Sequence, residues 1–186
     1  MDGSLEKLEW AMDMAAKYDI KVLLDVHSLK DSQNGFDNSG KATQWIWVNE
    51  TSWQHWPVRE AHWMGEWDST NEEYTYINYD NIEWGLKNVR NLMQHFKDHS
   101  ALYAFEPVNE PWESSPNDTL SYYYREARNI VHNMRPDVIF LFHDSFHFTT
   151  DWNYLFPDDD MENIALDTHY YQAWNLKNES GLEGYC

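Results

Sequence analysis

The sequence contains little cysteine and few basic residues. Its single cysteine, Cys186, excludes an internal disulfide framework and a cysteine-rich zinc module. Lysine and arginine total 13 against 32 aspartate and glutamate residues, which gives a formal net charge of -19. A surface this acidic repels phosphate backbones and anionic lipid headgroups. We therefore expect neither a nucleic acid nor a membrane as a partner.

Long apolar runs are also absent, and no segment approaches the length needed to span a bilayer. Residues 1–7 lack the basic-then-apolar shape of a signal peptide, so we predict none in this chain. Aromatic residues, in contrast, make up 17% of the sequence and include 11 tryptophans and 12 tyrosines. This is more than a core of this size needs, which suggests stacking on a flat ligand.

Four short apolar segments alternate with helical patterns along the 186 residues. The segments are apolar on both faces, as buried parallel strands are, and they span 21–27, 102–109, 138–143 and 164–169. Helical spacing of apolar residues precedes them at 4–18, 82–96, 120–134 and, in a shorter piece, 152–156. The sequence therefore predicts one α/β domain over residues 1–186, with a parallel sheet whose ligands bind beyond the carboxyl ends of the strands.

A tryptophan-rich insertion at about 28–80 interrupts this alternation. It holds six of the 11 tryptophans, and Trp84 adjoins it. We expect most of these rings to form a local hydrophobic core that keeps the long loop folded, in preference to an exposed platform for a ligand. Phe36 and Trp174 are sharper candidates for stacking on a ligand, because each follows a strand-end motif closely enough to stand at a pocket rim.

Polar side chains gather where the predicted strands end. They are His27, Asn109, Glu110, His143, Asp144, His169 and Tyr171. One polar residue after a strand is usually a capping or surface group, but several at one edge predict a site. Glu110, with the Asn109 amide beside it and Pro111 fixing the turn, is arranged to donate a proton to a leaving group. The tripeptide alone is equally compatible with an ordinary loop carboxylate.

The strand-end histidines allow a metal site as an alternative. His27, His143 and His169 could converge on an ion, as imidazoles do in zinc enzymes. The sequence lacks the His-x-His pair and the added carboxylates usual at barrel metal sites, and hydrogen bonds to sugar hydroxyls would use the same side chains. We therefore predict no metal and no cofactor.

Five segments carry a family resemblance. They are 22–27, the run Ser-Gln-Asn-Gly-Phe-Asp-Asn-Ser-Gly at 32–40, 105–111, 142–146 and 167–172. Together they resemble glycoside hydrolase family 5 and, within it, the fungal and oomycete exo-β-1,3-glucanase group. The Asn-Glu-Pro motif indicates only the broad clan, whereas the nine-residue run is specific to the glucanase group. The resemblance covers nearly the whole chain.

The resemblance implies a (β/α)8 barrel and a retaining mechanism, with Glu110 as acid/base and Asn109 contacting the sugar 2-hydroxyl. It also implies further substrate-binding positions at the cleavage subsite and on a facing loop: His27, His169, Tyr171, Asp37 and Asn38. The implied partner is a β-glucan cleaved by exo action at β-1,3 bonds. An endo-β-1,4-glucanase or mannanase of the same clan remains the alternative enzyme.

One element of this mechanism is missing from the chain. A retaining hydrolase needs a second carboxylate roughly 5 Å from the first, and in this family it is a glutamate that ends the seventh barrel strand. By match, this chain holds strands three to six, and a full barrel takes about 250 residues. We therefore expect a fragment that is inactive alone, or else a non-catalytic sugar-binding or interaction fragment.

For the full-length protein we expect a monomer that is extracellular or bound in the cell wall. The sequons at Asn49, Asn117 and Asn178 support secretion only weakly, because a chain this rich in asparagine contains such triplets by chance.

Overall fold

The structure is a computed structural model that describes residues 3–40, 45–49, 52–55, 61–157 and 161–170. Its helices and strands, in chain order, are α1 (Ser4–Lys17), β1 (Val22–Asp25), β2 (Trp45–Asn49), β3 (Ser52–His55), β4 (Gly65–Asp68), β5 (Glu73–Ile77), α2 (Tyr79–Phe96), β6 (Leu102–Glu106), α3 (Asn117–Met134), β7 (Ile139–His143) and β8 (Ile164–Asp167). Two short 3-10 turns cover Asp37–Ser39 and Thr149–Trp152.

The strands β1, β6, β7 and β8 form one parallel sheet in that order. Strand order follows chain order, as in the wall of a barrel, whereas a doubly wound sheet reverses its order at a switch point. The predicted α/β architecture with four parallel strands is thus confirmed. None of the helices in the described part of the chain combines the length and the apolar content that a membrane span requires.

The core lies between this sheet and the helices. On α2 the buried residues recur at helical spacing, from Ile82 through Leu86, Val89 and Met93 to Phe96. The helix begins where the Asn78 side chain accepts a hydrogen bond from the Asn81 N–H at 3.2 Å. Packing of this stripe against the sheet fixes the direction of the strands and therefore the position of their carboxyl ends.

Several predicted boundaries were wrong, among them the start of α2, which is Tyr79 where Ile82 was predicted. The strand predicted to run to residue 109 ends at Glu106, because Pro107 has no N–H to donate to a neighbouring strand. The helix predicted to start at Leu120 begins at Asn117, directly after Pro116. The helical piece predicted at 152–156 is instead a 3-10 turn that ends at Trp152, and Pro157 disfavours helical geometry in the residue before it.

The insertion contributes two antiparallel hairpins, β2–β3 and β4–β5. The Trp63 ring is buried edge-on against Tyr123 at 4.9 Å between centroids. Trp67 packs at 5.3 Å from Tyr74 and at 5.0 Å from Trp112. Trp63 thus belongs to the main core, whereas Trp67 packs in a local aromatic cluster. The side chains of the other four insertion tryptophans lie outside the described residues.

Consecutive tyrosines on α3 bind the ends of two strands. The Tyr123 hydroxyl donates to the Pro107 carbonyl at 2.9 Å, and the Tyr124 hydroxyl donates to the His143 carbonyl at 2.8 Å. Both side chains are completely buried. The preceding Tyr122 is exposed and donates to Glu83 at 3.2 Å. Helix α3 therefore holds the carboxyl ends of β6 and β7 in place.

We expect Tyr124→Phe to lower the free energy of unfolding by about 1–3 kcal/mol, because it leaves a buried carbonyl without its donor. Tyr122→Phe is the matched control, and its exposed hydroxyl should change stability by less than about 0.5 kcal/mol. Urea unfolding of the two variants measures the difference. Equal effects would show that the buried hydroxyl does not support the strand end.

Candidate functional site

Each of the four parallel strands ends in an ionisable residue, Asp25, Glu106, His143 or Asp167. The register pairs Asp25 with Glu106 and His143 with Asp167. Paired residues of parallel strands point to the same face, and the intervening apolar residues point to the helices. All four side chains therefore converge on one face of the sheet at its carboxyl edge.

The motif Asp-x-His occurs at the ends of both outer strands, as Asp25-Val26-His27 and Asp167-Thr168-His169. In an extended chain, residues two apart share a face. Accordingly, His27 Nδ1 lies 2.5 Å from Asp25 Oδ2, and His169 Nε2 lies 3.3 Å from Asp167 Oδ2. Each histidine ring is thus oriented by its own strand.

These two Asp–His pairs flank Asn109 and Glu110. His169 Nδ1 lies 2.7 Å from Glu110 Oε1, and the Asn109 amide nitrogen lies 3.5 Å from His27 Nε2. The two ring nitrogens of His169 thus contact two carboxyl groups, Glu110 through Nδ1 and Asp167 through Nε2. The structure therefore brings together four of the residues that the sequence predicts for the site.

Glu110 is 4% exposed and has a φ of 44°, which is unusual for a residue with a side chain. Backbone strain of this kind persists only where surrounding contacts hold it. Besides His169, the carboxylate accepts a hydrogen bond from the Asn38 amide at 3.4 Å to Oε2. Asn38 lies in the 3-10 turn of the predicted substrate-facing loop.

Gln33 connects that loop to the strand ends. Its Nε2 donates to the carbonyl of His27 at 3.0 Å and to the carbonyl of Asn109 at 2.9 Å. Its Oε1 accepts from the Leu29 N–H at 3.0 Å. Gln33 is not among the site residues that the sequence predicts, although it lies inside the nine-residue run.

The other predicted site residues differ in how much of them the structure describes. Phe36 is half-buried in the loop beside the site. Asp37 begins the 3-10 turn, and its side chain is outside the described part of the structure. Tyr171 and Trp174 also lie outside the described residues, so their roles stay predictions.

Ser145 ties the end of β7 to the loop that follows Glu110. Its hydroxyl lies 3.0 Å from the carbonyl oxygens of both Pro111 and Trp112. Its backbone N–H donates to His143 Nδ1 at 2.9 Å. Since Nδ1 accepts this bond, the neutral His143 ring carries its proton on Nε2.

Burial has the largest effect on the pKa values of the interior groups. It raises the pKa of Glu106 to about 9, with the charges of Asp25 and Asp167 adding to the effect. It lowers the pKa of His143 to about 4, and nearby His169 lowers it further. For His169 burial also lowers the pKa, but the hydrogen bond to Glu110 and the charge of Asp167 outweigh it and raise the pKa overall.

Glu110, His143 and His169 place one potential metal ligand each within 4.8 Å of one another. Both ring nitrogens of His169 already bond carboxylates, and Nδ1 of His143 accepts the Ser145 N–H. The Nε2 of His143 carries a proton and offers no lone pair. The side chains of Glu110, His143 and His169 are therefore suited to a hydrogen-bonded network. The absence of a metal ion remains our prediction.

Sequence reasoning missed Asp25, Glu106 and Asp167. The repeated Asp-x-His motif was the available signal, because strand periodicity puts both of its polar residues on one face. Glu106 carried a weaker signal, as a carboxylate in an otherwise apolar strand.

Comparison with known proteins identifies relatives of the chain among fungal enzymes. It is 32% identical to the probable glucan 1,3-beta-glucosidase A of Aspergillus terreus over 181 residues, covering 95% of this chain and 36% of that protein. It is 26% identical to the glucan 1,3-beta-glucosidase of Yarrowia lipolytica, covering 94% of this chain and 36% of that protein. No protein-family model matches the chain.

Solved glycosidase structures share the fold. The rutinosidase from Aspergillus niger matches with a TM-score of 0.58 and 18% identity, over 84% of this chain and 40% of that one. Endo-glycoceramidase II from Rhodococcus sp. matches with a TM-score of 0.55 and 18% identity, over 90% of this chain and 44% of that one.

The chain spans little more than a third of the length of the two fungal relatives. It covers less than half of each matched barrel structure, in keeping with four parallel strands out of eight. The chain is thus a homologue of the fungal glucan 1,3-beta-glucosidases over nearly its whole length, and its fold corresponds to part of a (β/α)8 barrel.

Proposed function

We propose that this chain is the acid/base portion of a retaining glycoside hydrolase of family 5 that removes glucose from β-1,3-glucan. The observation that carries the proposal is the placement of Glu110, which is buried four residues beyond the end of β6 and is held by His169 and Asn38. The homology to glucan 1,3-beta-glucosidases supports the substrate.

In the first step, Glu110 donates its proton to the oxygen of the glycosidic bond as that bond breaks and the nucleophile forms a bond to the anomeric carbon. The carboxylate left on Glu110 accepts the hydrogen bond from His169, whose Nδ1 lies 2.7 Å from Oε1. An imidazole N–H at this distance stabilises the charge that develops on Glu110. In the second step, the same carboxylate takes a proton from a water molecule that attacks the anomeric carbon and displaces the nucleophile.

Retention also requires a nucleophile, which we assign to a part of the protein outside this chain. The interior face of the sheet, onto which Glu110, His27 and His169 project, is where a facing carboxylate must lie. The expected separation of the two carboxyl groups is about 5 Å.

The full-length protein provides the test. Incubated with β-1,3-glucan, it should release single glucose units, and the first product seen by proton NMR should have the β configuration. Oligosaccharide products, or faster hydrolysis of β-1,4-glucan or mannan, would favour the related endo-enzymes instead. Sugar binding without hydrolysis would favour a non-catalytic binding protein.

Asn109→Ala is expected to lower kcat by about 10- to 100-fold with little change in KM, since hydrogen bonds to the sugar 2-hydroxyl strengthen in the oxocarbenium-like transition state. Asn109 is positioned for this by His27 and by the Gln33 contact to its carbonyl. Steady-state kinetics on β-1,3-glucan separate the two parameters. A rise in KM at constant kcat would show that Asn109 contributes uniform binding only.

The remaining features of the proposal concern the whole protein. We infer an extracellular or cell-wall location, which a β-glucan substrate requires, and a monomeric state. Asn117, at the start of α3, is a described sequon at which glycosylation can be sought by mass spectrometry.

A further inference from the structure

The segment that follows the proposed acid/base is attached to the end of β7 through three consecutive carbonyl groups. The Ser145 hydroxyl lies 3.0 Å from the carbonyl oxygens of Pro111 and Trp112. His147 Nε2 donates to the carbonyl of Glu113 at 2.8 Å. The Ser145 side chain is completely buried, whereas the bond from His147 is exposed to solvent. Water cannot readily replace a buried donor, so the Ser145 contact is the one whose loss has the larger effect.

The two carbonyls near Ser145 differ in their need for its proton. A hydroxyl carries one proton and donates to one acceptor at a time. The Trp112 carbonyl also accepts the N–H of Ser115 at 2.9 Å. No other donor in the described part of the chain is bonded to the Pro111 carbonyl. The hydroxyl proton is therefore assigned to Pro111, the residue directly after Glu110.

Ser145 is itself held in place at the end of β7. Its φ is 53°, in the left-handed region, and its N–H donates to His143 Nδ1 at 2.9 Å. The N–H of the preceding Asp144 donates to the Asp167 carbonyl at 2.9 Å, and the Asp144 carbonyl accepts the indole N–H of Trp152 at 2.9 Å. These bonds hold the hydroxyl at a fixed point of the sheet.

The backbone conformation of Glu110 requires support of this kind. Its φ of 44° is unusual for a residue with a side chain. In addition, Pro111 ordinarily restricts the residue before it to an extended conformation, with a φ of about -120°. His169 and Asn38 hold the Glu110 carboxylate at 2.7 and 3.4 Å, but these bonds do not fix the backbone that follows. The bond from Ser145 to the Pro111 carbonyl supplies that second attachment.

We propose that Ser145 is a positioning residue for the acid/base. Its hydroxyl donates to the Pro111 carbonyl and thereby keeps Glu110 in the left-handed conformation that places its carboxylate against His169. The inference rests on the proposed function, because proton transfer requires the acid to be held at one point. A misplacement of about 1 Å in a catalytic group can lower a rate by about 100-fold.

Ser145→Ala in the full-length protein removes the hydroxyl. Its kcat on β-1,3-glucan should fall by about tenfold, as for the loss of one hydrogen bond, with KM changed by less than about threefold. Aryl glucosides with good leaving groups need no proton, so their first-turnover release of aryl alcohol should fall by less than about threefold. Ser100→Ala, at an exposed serine before β6, is the matched control and should leave both rates unchanged. Equal losses on both substrates, or no loss on glucan, would overturn the proposal.

Ser145→Gly separates the hydroxyl from the conformation of the turn. Glycine adopts a φ of 53° without strain but supplies no donor. This variant should therefore lose as much activity on glucan as Ser145→Ala. Full activity in Ser145→Gly would show that only the turn matters and would overturn the proposal, even if Ser145→Ala fails to fold.

A double substitution tests whether Ser145 acts through Glu110. In a Glu110→Gln protein the acid is already lost, so adding Ser145→Ala should lower the glucan rate by less than about twofold. A further tenfold loss would show that Ser145 acts independently of Glu110 and would contradict the proposal.

Hydrogen exchange of the Trp112 amide separates this inference from the proposed function. That N–H donates to the Gln33 carbonyl at 3.0 Å, in the segment that Ser145 holds. In Ser145→Ala it should exchange about tenfold faster, whereas Ser100→Ala should leave its exchange unchanged. Unchanged exchange in Ser145→Ala would overturn the inference. Faster exchange in a full-length protein that hydrolyses no glycoside would contradict the proposed function and leave the attachment by Ser145 standing.

Discussion

Glu110→Gln in the full-length protein is expected to lower the hydrolysis of β-1,3-glucan by about 10²–10⁴-fold, the usual contribution of a general acid. The amide keeps the size of the side chain and its place between His169 and Asn38 but has no proton to give. Aryl glucosides with good leaving groups need no protonation, so their cleavage to the glycosyl-enzyme should fall far less. Stopped-flow release of the aryl alcohol, compared with glucose release from glucan, measures both rates.

Glu113→Gln is the matched control, because Glu113 lies in the same loop with an exposed side chain. Its rates on both substrates should equal those of the unaltered protein. Equal losses on both substrates in Glu110→Gln would argue that this carboxylate binds the sugar or supports the loop and is not the proton donor.

The second large effect is on stability, and its sign follows from the pKa of Glu106, about 9 against an ordinary 4.5. Below pH 4.5 the group is protonated in both folded and unfolded chains and favours neither. Between pH 4.5 and 9 only the unfolded chain ionises, so the folded state loses up to about 1.4 kcal/mol per pH unit. Glu106→Gln removes this loss and should therefore stabilise the protein increasingly as the pH rises.

At pH 7 we expect Glu106→Gln to be more stable than the unaltered protein by up to about 3 kcal/mol, and near pH 4.5 by almost nothing. Urea unfolding at both values provides the comparison. The low pKa of His143, about 4, destabilises the folded protein as the pH falls below 6.5. This effect is the same in both proteins, so it does not contribute to the difference in their free energies of unfolding. A stability difference independent of pH would contradict the protonated state of Glu106.

The parallel sheet was predictable because its strands are apolar on both faces, a pattern that only burial between helices and a barrel interior explains. The convergence of His27, Glu110 and His169 was equally predictable from their places after strands. The inward orientation of Glu106 and Asp167 was not predictable, because a carboxylate in a sequence is ordinarily assigned to solvent. Only the register of β6, β7 and β8 reveals which charged residues face inward.

The contacts of Gln33 escaped prediction for a different reason. The hydrogen bond to the Asn109 carbonyl joins residues 76 apart in the sequence, and no local periodicity encodes such a contact. The φ of Glu110 is likewise set by the surrounding contacts and not by its own residue type, since glutamate has no intrinsic preference for the left-handed region.

The substrate-facing loop is fastened on both sides. Gln33 holds it to the strand ends, while the N–H groups of His62 and Trp63 donate to the carbonyls of Asp31 and Ser32, each at 3.0 Å. The two attachment points fix where the chain leaves this loop and where it returns to it. The entropic cost of closing a loop between fixed ends rises only slowly with the length of the loop. The length of the intervening chain can therefore vary without displacing the strand-end residues to which the loop is bound.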